Sequence, residues 1–219
     1  MSYFRELPDL EYQSPLSNRV SSKTYMRAKN IFRRMKIRDD LQNVFTVFNK
    51  YVIKDGARPD TVAEELYGSS TLDWVVTISA GIVNIKNEWP LSSKDIYNFS
   101  EEKYGLSGLN DTHHYETKEI KNSSGNIVLP KGKVVDSNYT IRYFDNGVEK
   151  SSTIPDTVVG VTNYEYETEE NLKKQNIYVL KKRYLQQFMI DMKNEMTYKK
   201  SSQYVNDKLI RTENTRITI

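Results

Sequence analysis

The sequence predicts an α+β chain in which two short helices lie against strands, followed by a long β-rich stretch and a C-terminal helix, with extended segments at both ends. Three observations predict it. Residues 59–82 carry start and stop signals for two successive helices. Residues 106–180 alternate short β-branched and aromatic runs with turn residues. Tyr184, Leu185, Phe188, Met189, Met192 and Met196 form a stripe at helical spacing.

Residues 1–24 read as an extended N-terminal arm. Pro8 and Pro15 break any helix, and Tyr3, Phe4, Leu7, Leu10 and Tyr12 follow no regular period. Such a segment buries its aromatics on its own domain or on a partner. Removing residues 1–12 is therefore expected to leave a folded chain that no longer assembles. Residues 25–38 are basic, with Arg27, Lys29, Arg33, Arg34, Lys36 and Arg38. As a helix, Ala28, Ile31, Phe32 and Met35 share a face. As a strand, Ile31, Arg33, Met35 and Ile37 lie opposite Phe32, Arg34, Lys36 and Arg38. Periodicity does not decide between the two. Residues 44–53 read as a strand ended by Asp55-Gly56.

The first helix begins near Pro59, with Thr61 as its cap and Glu64 reaching back, and stops at Gly68. Ser70-Thr71-Leu72-Asp73 starts the second in the same way, with Leu72, Val75, Val76, Ser79 and Ile82 on its buried side. A third start, at Pro90-Leu91-Ser92, leads to Gly105. Beyond it the reading is β. Asp145-Asn146-Gly147 marks a hairpin, Tyr164-Glu165-Tyr166-Glu167 alternates as a strand, and Ile177-Tyr178-Val179-Leu180 is a short apolar strand. Residues 197–219 read as a second arm, with isolated apolar residues such as Leu209, Ile210 and Ile217, and Tyr204 nearby.

The chain has 219 residues, of which 37% are hydrophobic, 28% are charged and 16 are Tyr. Mean hydropathy is -0.69. A composition this polar places much of the chain on a surface. Tyr combines an apolar ring with a polar tip, which suits half-wet interfaces as well as strands. Net charge is +3, and Asp39-Asp40 directly follow the basic run, which argues against a nucleic-acid partner. The chain has no Cys, so disulfides and thiolate metal sites are excluded. No apolar run approaches the ~20 residues of a membrane span, and the polar N-terminal residues lack an apolar signal core.

No catalytic constellation is expected. His113 and His114 are the only histidines, and neighbours on a strand point to opposite faces, which keeps them from sharing a metal. Glu64 and Glu65 adjoin on one short helix, whereas glycoside hydrolysis needs carboxylates facing across a cleft. No phosphate-cradling glycine loop is present. The expectation is no catalytic residue, no metal and no cofactor.

Arg58-Pro59, Ala63, Leu66-Tyr67-Gly68 and Trp74, with Trp89 and Ile177–Leu180 before Tyr184-Leu185-Gln186-Gln187-Phe188, carry a resemblance. The chain resembles the baseplate wedge protein family of T-even-like myophages, gene product fifty-three. Tyr3-Phe4 and Asp111-Thr112-His113-His114-Tyr115 are similar to forms from marine cyanophages. The resemblance implies a LysM-like βααβ core with strands near 45–54 and 176–181 and helices near 61–67 and 71–82. The organisation it suggests is an arm at 1–24, a basic segment and core at 25–105, a β-rich insertion at 106–175, a closing strand and helix at 176–196, and a second arm at 197–219.

The function implied is structural. The protein would join neighbouring wedges around the hub of a contractile-tail baseplate, without catalysis. Its partners would be the wedge core proteins and the small sheath-initiator-like wedge subunit. It would reside in the virion, after assembly in the host cytoplasm. Candidate interface residues are Tyr3, Phe4, Leu7, Leu10, Tyr12, Tyr204, Ile210 and Ile217. The alternative is a module binding N-acetylglucosamine polymers, with Tyr67, Ser69, Ser70 and Trp74 beside the helices.

Overall fold

The computed structural model describes residues 3–14, 25–38 and 46–212. In chain order the elements begin with α1 (Tyr3–Glu6), β1 (Asp9–Gln13), β2 (Tyr25–Lys29), β3 (Phe48–Val52), α2 (Pro59–Tyr67), α3 (Asp73–Ser79) and α4 (Ile85–Glu88). Next come α5 (Ser93–Gly108), β4 (Thr112–Thr117), β5 (Ile120–Lys121), β6 (Ile127–Leu129), β7 (Val134–Val135), β8 (Arg142–Asp145) and β9 (Val148–Ser151). The chain continues with α6 (Ile154–Thr157), β10 (Val158–Thr162), α7 (Asn163–Gln175), β11 (Asn176–Leu180), α8 (Leu185–Glu195), β12 (Tyr204–Asn206) and β13 (Leu209–Arg211). The fold is α+β, in two compact units. One comprises Met1–Trp89 with Asn176–Ile219, and the other Pro90–Gln175.

The first unit is built on strand, helix, helix, strand. β3 and β11 pair antiparallel, from Phe48 opposite Leu180 to Val52 opposite Asn176. Two strands alone are marginal in water, so they need a covering layer. α2 and α3 contribute it through Val62, Ala63, Tyr67, Trp74, Val75, Val76 and Ile78, all buried in one core with Ile177, Val179 and Leu180. Leu72, Ser79 and Ile82 are buried as the helical stripe requires. α8 closes the core with Met192, and Met196 follows it.

Helix starts differ from expectation. Pro59 is the first residue of α2, whose fixed φ suits that position, and Arg58 precedes it without a side-chain cap. Thr61 and Glu64 form no capping box, since the helix has already begun two residues before Thr61. Asp60 sits in the first turn, where its charge favours the helix N-terminus. Ser70–Leu72 form a 3-10 turn leading into α3, also without a side-chain cap. Gly68 does end α2. At φ 76° it is left-handed, and its N–H bonds to Glu64 O.

A second sheet in this unit has the order β12-β13-β1-β2. β1 lies inside it, parallel to β13 and antiparallel to β2. The segment expected to be an N-terminal arm thus contributes an inner strand and, at Leu7, a core residue only 2% exposed. Removing residues 1–12 would take out part of a sheet and part of the core, so that deletion no longer separates folding from assembly. The strand alternative holds for the first part of the basic stretch only, Tyr25–Lys29. β2 is followed by a turn at Ile31-Phe32 and, over residues 33–38, by a run outside any helix or strand in which half-buried and exposed residues alternate.

In the second unit Ser92 caps α5, its Oγ accepting the Asp95 N–H at 3.2 Å. Gly105, at a positive φ of 74° and non-helical, ends the first helical stretch of α5 as expected, and a second stretch continues across the kink to Gly108. α7 replaces the strand expected at Tyr164–Glu167. Thr162 and Glu165 form a capping box, Glu165 Oε2 accepting from Thr162 N at 2.8 Å and Thr162 Oγ1 from Glu165 N at 3.2 Å. α5 and α7 are tied by Glu167, which accepts from Lys103 Nζ at 2.6 Å and Tyr104 Oη at 2.8 Å. Burial pushes the Glu167 carboxyl up, but these two bonds outweigh it and its pKa falls below the usual range, while Lys103 is pushed up to about 12. Buried Asn171 accepts the Leu91 N–H at 2.8 Å and donates to Leu91 O at 2.9 Å. β4 is central in the sheet β10-β4-β7.

The hairpin of β8 and β9 turns at Asn146 and Gly147, with φ of 51° and 81° as a tight hairpin turn demands. Asp145 anchors it. Lys150 Nζ donates to Asp145 Oδ2 at 2.6 Å, and the hydroxyl and N–H of Ser123 donate to Oδ1. The Lys150 bond, then those from Ser123, hold the carboxyl at about 2. The folded value lies below the unfolded value of about 3.9, so the stabilisation is present above about pH 4 and is lost as pH falls toward about 2. Asp145→Asn is expected to lower the urea midpoint at neutral pH, with the gap to wild type closing between about pH 4 and 2. A gap independent of pH would contradict this origin.

Candidate assembly interface

The sheet that joins the two ends of the chain has one polar and one apolar face. On the polar face Glu11, itself buried, takes both neighbouring strands. Oε1 accepts from Arg27 Nε and Nη2 at 3.2 and 2.7 Å, and Oε2 from Arg211 Nε and Nη2 at 3.0 and 2.8 Å. The hydrogen bonds from Arg27, then Arg211, hold its carboxyl below the usual range. Lys29 pairs with Asp9 at 2.9 Å on the same strands.

The other face carries Leu10, Tyr12, Ile210 and Tyr204. Register places Leu10 beside Ile210 on one side and Ala28 on the other, with Tyr204 opposite Ile210 and Tyr12 opposite Met26. Residues directly opposite in a sheet share a face. Four candidate interface residues from opposite ends of the sequence thus form one apolar surface. Tyr12 is 37% and Met26 43% exposed, while Leu10, Ile210 and Tyr204 are half-buried. Met26 completes this surface. The sequence signal for it was its place in a strand whose pairing with β1 was not legible.

The remaining candidates lie elsewhere. Tyr3 is half-buried, its ring 5.7 Å from that of Trp74, whereas Phe4 beside it is 62% exposed. Leu7 is in the core. Ile217 lies outside the described residues.

The glycan candidates are placed differently. Tyr67 is buried and its hydroxyl donates to Leu180 O at 2.9 Å. Burial pushes this phenol above its ordinary range, so the hydroxyl stays a donor. Trp74 is buried between Tyr3 and Phe188, its ring centroid 5.8 Å from that of Phe188. Ser69 bonds Thr71 through the two hydroxyls, and Ser70 starts the 3-10 turn. Two aromatic faces that a sugar would stack on are covered by the protein's own side chains. Tyr67→Phe is expected to cost about 1 kcal/mol, read as a shift in the urea unfolding curve. No change would show that this bond contributes nothing.

His113 and His114 meet, contrary to the alternation expected of a strand. The register slips between Val161 and Thr162 of β10, opposite His114 and Thr112, leaving His113 as the extra residue of a bulge. Their Nδ1 atoms are 2.9 Å apart, His114 Nε2 lies 3.1 Å from Glu116 Oε1, and the His113 ring stacks 4.0 Å from Tyr166. Among the described residues no group of three or more His, Cys, Asp or Glu is placed to hold a metal ion.

Strands β1 and β13 share a sheet with a partly exposed apolar face, and comparison with known families gives the class of the chain: a structural protein of the phage tail baseplate. The model of base plate wedge protein 53 matches residues 3–194, and the chain belongs to that family. No curated protein matches the sequence. Membership implies a place in the virion tail baseplate and contacts with other baseplate components. None of the described helices is long and apolar enough to cross a membrane.

Proposed function

We propose that the protein joins neighbouring wedges around the hub of a contractile-tail baseplate, and that it works by contact alone. The observation that carries this reading is the apolar face of Leu10, Tyr12, Met26 and Ile210, on a sheet closed by both ends of a baseplate wedge family member. An apolar sheet face gains stability when a partner removes it from water, by about 25 cal/mol per Å2 covered. The wedge core proteins and the sheath-initiator-like small wedge subunit of T-even-like phages are the partners. Assembly takes place in the host cytoplasm. The core of β3, α2, α3 and β11 is a LysM-like unit that serves as scaffold, with its sugar-facing aromatics turned to packing.

The test is Tyr12→Ser combined with Met26→Ser. Both side chains are exposed, so the unfolding curve is expected to move little. Entry into baseplates assembled from the remaining subunits is expected to fall by about tenfold or more, the loss of roughly 1.4 kcal/mol of contact energy. Normal entry of this variant would reject the face as an interface.

A further inference from the structure

The second unit carries an open sheet edge, which the interface proposed on the first unit does not use. In the order β10-β4-β7, β10 is an outer strand, and no strand lies along its other side among the described residues. In an antiparallel pair every second residue turns its N–H and C=O away from the partner. Such a row is a template for pairing, and proteins commonly blunt it with Lys, Pro or a bulge. β10 reads Val158-Val159-Gly160-Val161-Thr162, with no charge and no Pro. Its register slips only between Val161 and Thr162, so Val158–Val161 lie in regular register opposite Thr117–His114. The opposite edge of the sheet, β7, has only two residues.

The edge is accessible and fixed. Val159 is 36% exposed, and Gly160 beside it is exposed and has no side chain to cover its own backbone. Just before the strand, Thr157 O accepts the Lys118 N–H at 2.7 Å. Just after it, the Asn163 N–H donates to Asp111 O at 3.0 Å. A strand anchored at both ends loses little conformational freedom when another joins it.

A groove of about 310 Å3 runs beside β10 and is also lined by Tyr164 and Thr168 of α7. Val159, Gly160 and Val161 all border it. Successive residues of a strand face opposite ways, so three in a row place the groove along the backbone and not on one face alone. Three carboxylates, of Glu116, Glu165 and Glu169, line it against one ammonium, of Lys131. Glu165 accepts from the N–H and hydroxyl of Thr162, neutral donors that leave its charge in place. His114, 3.1 Å from Glu116, adds a second cation only when protonated.

We propose that β10 receives an extended, basic segment of another baseplate subunit as an added strand. Main-chain hydrogen bonds to the outer edge supply affinity. The carboxylate surplus of the adjoining groove selects Lys or Arg on the incoming segment and repels acidic side chains. Val159 and Val161 offer the stems of those basic side chains an apolar surface. The proposal rests on the reading of the chain as a baseplate protein and names a contact on the unit that the reading leaves unassigned.

Amide hydrogen exchange of the full chain, free and in purified assembled baseplates, tests it together with Glu169→Lys. Glu169 is exposed, so the unfolding curve of this variant is expected to move little. Exchange over residues 159–161 is expected to slow by about tenfold or more on assembly, and Glu169→Lys to remove most of that slowing. A chain that enters the baseplate with unchanged exchange at 159–161 overturns the inference and leaves the wedge reading standing. Protection that Glu169→Lys leaves intact also overturns it, since the incoming segment would then not be basic. Protection that grows in the free chain with its concentration makes a second copy the occupant and overturns it as well. A chain that does not enter at all overturns the wedge reading, and the inference with it.

Discussion

Replacing Trp74 with Ala is expected to destabilise the first unit by about 3–5 kcal/mol. Trp74 is 6% exposed, and its ring joins three parts of the chain. It projects from α3, stacks on Phe188 of α8 and meets Tyr3 of α1. Truncation removes the largest side chain of this packing and leaves a cavity that helices tied elsewhere cannot close. Small domains have about 5–15 kcal/mol to lose, so the variant keeps a small margin or none. Urea unfolding followed by circular dichroism reads the effect. A shift below about 1 kcal/mol would mean that Trp74 is not part of the core.

Leu7→Ala is expected to cost about 2–5 kcal/mol, while Phe4→Ala, three residues away, is expected to cost under about 0.5 kcal/mol. The contrast follows from exposure, 2% for Leu7 and 62% for Phe4. Leu7 anchors the chain between α1 and β1, and β1 is an inner strand between β13 and β2. Losing that anchor loosens the sheet as well as the core. The same unfolding experiment measures both variants. Equal effects would show that the N-terminal segment does not pack as described.

Much of the fold was legible where one local signal decided it. The Asn146-Gly147 turn needs positive φ at two successive residues, and few other pairs accept that. The buried side of α3 followed from spacing alone. Tyr164–Glu167 misled because four alternating residues fit a strand, although Thr162 and Glu165 three apart were the signature of the helix start that formed. His113 and His114 misled for another reason. A bulge depends on register with β10, which no residue of β4 announces.

The candidate interface shows where local reading stops. Leu7, Leu10 and Tyr12 looked alike in sequence, each apolar and without period. Their fates separate only when β1 pairs with β13, bringing Leu10 beside Ile210 from the far end of the chain. That pairing depends on how both ends pack and leaves no mark in either segment. Residues 33–38 were ambiguous between helix and strand because Ile31 and Phe32, counted in the pattern, lie in a turn. From Arg33 onward the alternation is regular.

The central claim is that this chain holds baseplate subunits together, and a cryo-EM map of the assembled baseplate tests it most directly. The expected map shows the chain touching two adjacent wedges, with Leu10, Tyr12, Met26 and Ile210 covered by another subunit. A map in which the chain contacts a single wedge, with that face open to solvent, would contradict it.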